Sequence, residues 1–196
     1  KRQAEMIFSL FTNYKSTSDE QLMKRVRLMN DEKAFNELHR RYARLLQGFF
    51  FRRLGGDEQQ AADLLQETFV RVWTSRTSYS ASQPFRTWLF SVAYNLCKNT
   101  YRSNQRKQAY LESLSTEEPI EEETTTIQLD AVTFDQALQQ ALSRLDESQQ
   151  LLFELRFTQE LTVPEIAVII GVPEGTVKSR LHTLTNHLRL KLKDYE

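Results

Sequence analysis

The sequence predicts an all-α protein of two small helical domains joined by an acidic, flexible linker. Three observations carry that prediction. Only five glycines and four prolines punctuate 196 residues, and clean alternation of apolar and polar residues is scarce, so apolar side chains recur mainly at helical spacing. From about Arg102 to Phe134 sustained apolar periodicity fades, and the chain runs through Ser-Leu-Ser-Thr-Glu-Glu-Pro from Ser113 and Glu-Glu-Glu-Thr-Thr-Thr from Glu121, a composition expected to be extended or disordered. Finally, Leu161 to Leu188 reads as two short helices about a tight turn. The expected organisation is an N-terminal extension over 1–17, a domain over 18–107, a linker over 108–134 and a second domain over 135–196.

Each element follows from local chemistry. The chain opens on Lys1 rather than Met, which reads as a trimmed start, and Arg2, Phe8 and Phe11 of the extension are either a partner-binding patch or part of a frayed end. Ser18 and Asp19 offer a cap for a helix carrying Leu22, Val26 and Leu28. A second helical run places Ala34, Phe35, Leu38, Tyr42 and Leu45 in the core. After the break at Gly55 and Gly56, a third helix from Glu58 to Trp73 is expected to bury Ala62, Leu65, Phe69 and Trp73 and to turn Asp63, Gln66, Glu67 and Arg71 outward. A fourth, from about Pro84 to Arg102, buries Phe85, Trp88, Leu89, Val92, Ala93 and Leu96 and exposes Arg86, Asn95, Lys98, Asn99 and Arg102.

In the second domain, helices over about Phe134 to Phe157 pack Leu142, Leu145, Leu151, Leu152 and Leu155 as a scaffold. Thr162 caps the next helix, Pro164 is tolerated in its first turn, and Gly171 ends it. Pro173 opens the last helix, on which Val177, Leu181, Leu184 and Leu188 recur at spacings of four, three and four and leave Lys178, Ser179 and Arg180 on or near the other face.

Composition narrows the function. Hydrophobic residues at 40% support real cores. No apolar run approaches the roughly 20 residues of a membrane span and no signal peptide opens the chain, so a soluble cytoplasmic protein without membrane insertion is expected. The single Cys97 has no disulfide partner and reads as a small buried apolar residue. His39, His182 and His187 are scattered, no glycine loop cradles a phosphate, and Glu121 to Glu123 lie in the flexible stretch. Neither a metal, a cofactor, a small-molecule substrate nor an enzymatic activity is therefore expected.

The formal net charge of zero hides three blocks. Residues 1–107 hold 19 basic and 10 acidic side chains, 108–134 hold seven acids and no base, and 135–196 hold seven bases and nine acids. Past Gly175, however, Lys178, Arg180, Arg189, Lys191 and Lys193 outnumber Asp194 and Glu196. Segregated basic faces supply the sequence-independent part of nucleic-acid affinity through counterion release. The acidic stretch is either a solvated spacer or a strand that occupies a basic channel.

Two constellations point to nucleic acid. The Leu161 to Leu188 pattern is helix-turn-helix grammar, its second helix basic and hydroxyl-bearing enough for the major groove. A plain helical hairpin needs the leucines but has no use for Thr176-Val-Lys-Ser-Arg beside the turn. On the fourth helix and the loop before it, Thr77 to Pro84, aromatic, hydroxyl, amide and basic groups share one local surface. Single-strand binding uses that mixture, with stacking worth about 1–3 kcal/mol per base and amides to read exposed base edges.

Asp63 to Trp73 (DLLQETFVRVW), Phe85 to Asn99 (FRTWLFSVAYNLCKN) and Gly171 to Leu181 (GVPEGTVKSRL), in this order around an acidic stretch, resemble the extracytoplasmic-function, group IV sigma factors of bacterial RNA polymerase. The similarity spans about Ser18 to Leu192; the third motif is shared with many response-regulator domains, and the order of all three is the specific signal. The resemblance implies a sigma region 2-like helical bundle and a region 4-like helix-turn-helix. It implies docking of Asp63, Leu65, Gln66 and Glu67 on the clamp helices of the largest subunit of core RNA polymerase. It also implies capture of a flipped minus-ten base by Tyr79, Trp88, Asn95, Lys98, Asn99 and Arg102 as promoter DNA melts.

Tyr79 stands where relatives often have Phe, and Pro84 where a small or acidic residue is commoner. Lys178, Ser179 and Arg180 fall where the family contacts the minus-thirty-five duplex. Thr176 and Arg156 are then placed for phosphate, and His182 and Thr183 for base or phosphate. Glu174 either supports the helix dipole or selects against phosphate. An anti-sigma factor is the further implied partner. Two other readings stay open on the residues alone: a dimeric regulator that needs no polymerase, and a polymerase-binding adaptor that reads no DNA.

Overall fold

The computed structural model describes residues 13–193 except 115–132, with side chains placed over 13–106 and 133–193. Arg2, Phe8, Phe11 and the Glu121 to Glu123 triplet lie outside the described residues. The chain divides into two compact units, Lys1–Asn99 and Thr100–Glu196. Among the described residues there are helices and turns but no strand.

The first unit holds α1 (Asp19–Met29), α2 (Glu32–Arg53), α3 (Glu58–Thr74) and the start of α4 (Phe85–Leu114). Short 3-10 turns, Tyr14–Ser16 and Arg76–Ser78, precede α1 and follow α3. Ser18, Asp31 and Asp57 cap the first three helices by accepting from Gln21, Ala34 and Gln60 amides, each cap worth on the order of 1 kcal/mol. Asn30, in the left-handed region at φ 51°, ends α1. Helix α2 packs against α1 and α3, burying Leu22, Met23, Val26, Leu38, Leu46, Phe49 and Phe50. Edge-to-face pairs join α2 to α4, Phe49 with Phe90 at 5.5 Å and Tyr42 with Phe85 at 5.5 Å.

Phe35, Leu45, Trp88 and Val92, expected in the core, and Cys97, expected buried, are half-buried, as is Arg86, expected exposed, and three further expectations need correction. Leu28 is 58% exposed, and Met23 takes the core place instead; six residues from Leu22, Leu28 falls far round the helix from the buried face. On α3 the buried stripe is Ala61, Leu64, Thr68, Phe69 and Val72, while Ala62, Leu65 and Trp73 are only half-buried. Apolar residues at 61, 62, 64, 65, 69, 70, 72 and 73 make two overlapping stripes of equal period, so spacing alone does not choose between them. Thr68 tolerates the core because its hydroxyl donates to the Leu64 carbonyl at 2.7 Å. The third correction concerns the expected linker. Helix α4 runs on to Leu114, because Arg102 to Leu114 is rich in Arg, Gln, Lys, Ala, Leu and Glu and has no glycine or proline to stop it.

The second unit holds α5 (Phe134–Ser143), α6 (Glu147–Phe153), a π turn (Glu154–Thr158), α7 (Val163–Ile170) and α8 (Glu174–Leu192). Reciprocal capping boxes open three of them: Thr133 with Gln136, Asp146 with Gln149 and Thr162 with Glu165. Helix α8 packs on α5, α6 and α7, and its Val177, Leu184 and Leu188 are buried, as are Leu145, Leu151, Leu152, Leu155 and Ile166 of the same unit. Leu142 and Leu181, both expected in the core, are half-buried. The α7–α8 turn depends on Gly171 at φ 71°. Its amide and that of Val172 both donate to the Ala167 carbonyl, at 2.9 and 3.1 Å.

Candidate nucleic-acid interfaces

Three exposed helical faces carry the sequence-predicted residues. On α8, Lys178, Ser179, Arg180, His182 and Thr183 are exposed and Thr176 is half-buried, because burial of Val177, Leu184 and Leu188 turns them outward. The Ser179 and Thr183 hydroxyls donate back to the Thr176 and Ser179 carbonyls, both at 3.1 Å, which leaves their oxygens able to accept. Lys178 approaches Glu174 at 3.8 Å with both side chains exposed, an arrangement too screened to withhold the lysine from a phosphate. The His182 ring lies 2.9 Å from the Asn186 amide. Arg156 is exposed and bridges to the Leu161 carbonyl at 2.9 Å, bracing the turn that leads into α7.

On α4, Asn95, Lys98, Asn99 and Arg102 are all exposed. Their spacing of three, one and three residues sets them in one stripe along the helix. Two amides and two cations thus share a surface that continues from the half-buried Trp88.

Tyr79 does not belong to that surface. It is 2% exposed, its hydroxyl donates to the Gln83 carbonyl at 2.9 Å, and its ring packs on Phe85 at 6.0 Å and Trp88 at 5.3 Å. The expected stacking face is therefore covered, since a ring this apolar is more stable against two other aromatics than in water. What the loop exposes is small: Thr77, Ser78, Ser80, Ala81, Ser82 and Pro84.

On α3, Asp63, Gln66 and Glu67 are exposed and Leu65 is half-buried. Glu67 pairs with Arg71 at 2.6 Å, and Gln59 donates to Asp63 at 3.3 Å. Val70, 60% exposed beside them, was not anticipated; its place one turn beyond Gln66 and Glu67 was the available signal. Sequence reasoning also missed Glu20, Arg27, Asn30 and Arg76, whose bonds tie the Tyr79 loop to α1. Those bonds span 46 to 65 positions of chain, so no local pattern announces them. Among the described residues no group of His, Cys, Asp or Glu is arranged to hold a metal, and no helix is long and apolar enough to cross a membrane.

Residues 38–107 match the family model for sigma-70 region 2, and residues 135–183 match the model for sigma-70 region 4. The chain is 32% identical over 143 residues to the ECF RNA polymerase sigma factor SigL of Mycobacterium tuberculosis, covering 72% of this chain and 80% of that one. The chain belongs to the ECF sigma factor family. It is also 30% identical over 172 residues to the ECF sigma factor RpoE of Cereibacter sphaeroides, covering 86% of this chain and 91% of the relative.

Two solved structures share the fold of this sigma factor. CnrH, in complex with the cytosolic domain of CnrY, superposes at a TM-score of 0.63 with 21% identity, over 92% of this chain and all of that one. The sigma factor RpoE of Bartonella quintana, in complex with the anti-sigma factor NepR, gives 0.62 with 24% identity, over 82% and 98%. In family terms, α3 and the α4 stripe belong to region 2, and α7 and the exposed cluster of α8 belong to region 4.

Proposed function

We propose that this ECF sigma factor docks on core RNA polymerase through Asp63, Leu65, Gln66 and Glu67 of α3. It then reads two promoter elements with its two remaining faces. Asn95, Lys98, Asn99 and Arg102, with the exposed edge of Trp88, engage the melted minus-ten strand. The amides meet base edges left open by melting, and the cations hold the backbone. Lys178, Ser179, Arg180, His182 and Thr183 enter the major groove of the minus-thirty-five duplex, with Thr176 and Arg156 toward phosphate.

The observation that carries this reading is one exposed stripe of two amides and two cations along α4, in a chain that also presents a basic helix-turn-helix. A regulator that bound duplex DNA alone has no use for that stripe. Each face binds DNA weakly by itself, and tethering both to polymerase supplies the effective concentration that makes binding selective. The protein acts in the cytoplasm without catalysing a reaction itself, and an anti-sigma factor restrains it by covering the polymerase-docking face. The sigma factor RpoE of Bartonella quintana, solved in complex with the anti-sigma factor NepR, supports control by a partner of that kind.

Run-off transcription with purified core polymerase tests the proposal. Specific starts are expected only with the chain present, and reversal of Asp63 and Glu67 to Lys abolishes them by repelling the polymerase surface that the acids attract. Duplex binding without any polymerase-dependent start would overturn it.

A further inference from the structure

Helix α1 lies ahead of the residues matched to region 2, and none of the three faces above includes it. Three of its polar groups nevertheless reach one loop, the Arg76 to Phe85 segment between α3 and α4. Arg27 donates from Nη1 to the Tyr79 carbonyl at 2.8 Å. Glu20 Oε1 accepts from the Phe85 amide at 3.1 Å, acting as a cap from a distance where the chain offers only Pro84 before the helix. Asn30, the left-handed residue ending α1, accepts on its side-chain oxygen from Arg76 Nε at 3.0 Å.

Glu20 and Arg27 stand about two turns apart on α1, roughly 10 Å along its axis. The separation of the loop's two ends is therefore set by a rigid helix. Between the anchors, the Tyr79 hydroxyl binds the Gln83 carbonyl from the core, so the exposed Ser80 to Ser82 rim rides on a base held from below. That rim leads directly into α4, whose stripe carries Asn95 and Asn99.

We propose that Glu20, Arg27 and Asn30 are positioning residues that set where the Arg76 to Phe85 loop meets the melted strand, and so which base it accepts. The inference rests on the strand-reading role proposed for α4. The three residues act through the loop backbone and through Arg76, with no contact to DNA required of them. A displacement of even about 1 Å at a selecting surface can change rates by orders of magnitude, which makes base preference, rather than total activity, the sensitive readout.

The experiment uses the full chain with core polymerase and a promoter library randomised across the minus-ten element, as closed duplex and as pre-melted bubble. Arg27→Ala, Glu20→Ala and Asn30→Gly are compared with wild type, and binding to core polymerase is measured separately. Asn30→Gly is the variant certain to keep the turn, because glycine takes positive φ freely. Glu20→Gln keeps an acceptor for the Phe85 amide and serves as the rescue.

The expected result is a redistribution of the preferred minus-ten base by about tenfold in Asn30→Gly and Arg27→Ala. The shift persists on pre-melted templates, polymerase binding stays within about twofold of wild type, and Glu20→Gln restores what Glu20→Ala loses. Unchanged base preference in variants that bind polymerase normally would overturn the positioning role alone. So would a uniform loss on every template that tracks polymerase binding. If the wild-type chain itself produced no specific starts, the strand-reading role would fall first and the positioning role with it.

Discussion

The Tyr79 hydroxyl donates to the Gln83 carbonyl oxygen at 2.9 Å from a side chain that is 2% exposed. Burial first, and then the nearby Glu20 and Asp19 carboxylates, push this phenol from 10.0 up to about 12. Raising the folded-state value favours the neutral phenol, so Tyr79 contributes stability that is present below pH 10 and lost as pH rises toward 12. Tyr79→Phe keeps the ring and loses one hydrogen bond, a cost of about 1 kcal/mol in urea unfolding, and removes this alkaline dependence. Tyr79→Ala costs about 3–5 kcal/mol, as for other large buried aromatics. Equal stability of the Phe and Ala variants would contradict the buried placement.

Glu37, 8% exposed on α2, accepts from Arg40 at 2.8 and 2.7 Å and from Arg41 at 2.9 Å. Hydrogen bonds from Arg40 first, opposed by burial and joined by those from Arg41, hold its carboxyl at about 2 rather than 4.5. Arg41 also pairs with Asp19 at 2.6 Å, and Asp19 accepts from the Tyr42 hydroxyl, so the cluster ties the start of α1 to α2. Because the folded value is depressed, the stability is present above pH 4.5 and lost as pH falls toward 2. Glu37→Gln should therefore unfold more easily than wild type at pH 7, with the gap closing in that acid window. A gap independent of pH would show that ionisation of Glu37 is not its source.

Gly171 takes φ 71° at the turn between α7 and α8, with nothing within 4 Å of an added Cβ. Gly171→Ala therefore strains the backbone without a clash, costing about 1–2 kcal/mol. Denaturant unfolding of the second unit reads the stability, and duplex binding is expected to weaken with it, because this turn orients α8. Full retention of both would contradict the role given to the left-handed turn.

Much of this was legible where the interaction is local. Ser18, Thr162 and Gly171 act within four residues of the helix ends they define, and the exposure of Asn95, Lys98, Asn99 and Arg102 follows from one helical period. The register of α3 was not legible, because Ala61, Leu64 and Val72 compete at equal spacing with Ala62, Leu65 and Trp73. Nor was the burial of Tyr79. Its neighbours are loop hydroxyls in sequence, whereas its surroundings are Phe85, Trp88 and the α1 side chains that hold the loop. The continuation of α4 to Leu114 was masked by reading the whole Arg102 to Phe134 stretch as one composition, although its acids begin in earnest only after Ser113.

Lys178 and Arg180 are exposed cations on the same turn of α8. Substituting either by Ala should lower the salt dependence of minus-thirty-five duplex binding by about one unit of log-log slope if it neutralises a phosphate. If it reads a base instead, the substitution costs about 1–3 kcal/mol at one position of the element and leaves the slope nearly intact. Salt titrations of binding to matched and mismatched duplexes separate the two, and no change in either would remove that side chain from the interface.

The most direct test of the two-face account is transcript sequencing from a promoter library randomised separately in the minus-ten and minus-thirty-five elements, with core polymerase and this sigma factor. Asn95→Ala with Asn99→Ala is expected to relax selection in the minus-ten element alone, and Lys178→Ala with Arg180→Ala in the minus-thirty-five element alone. Loss of selection in both elements from either pair, or in neither from both, would contradict the assignment of separate elements to α4 and α8.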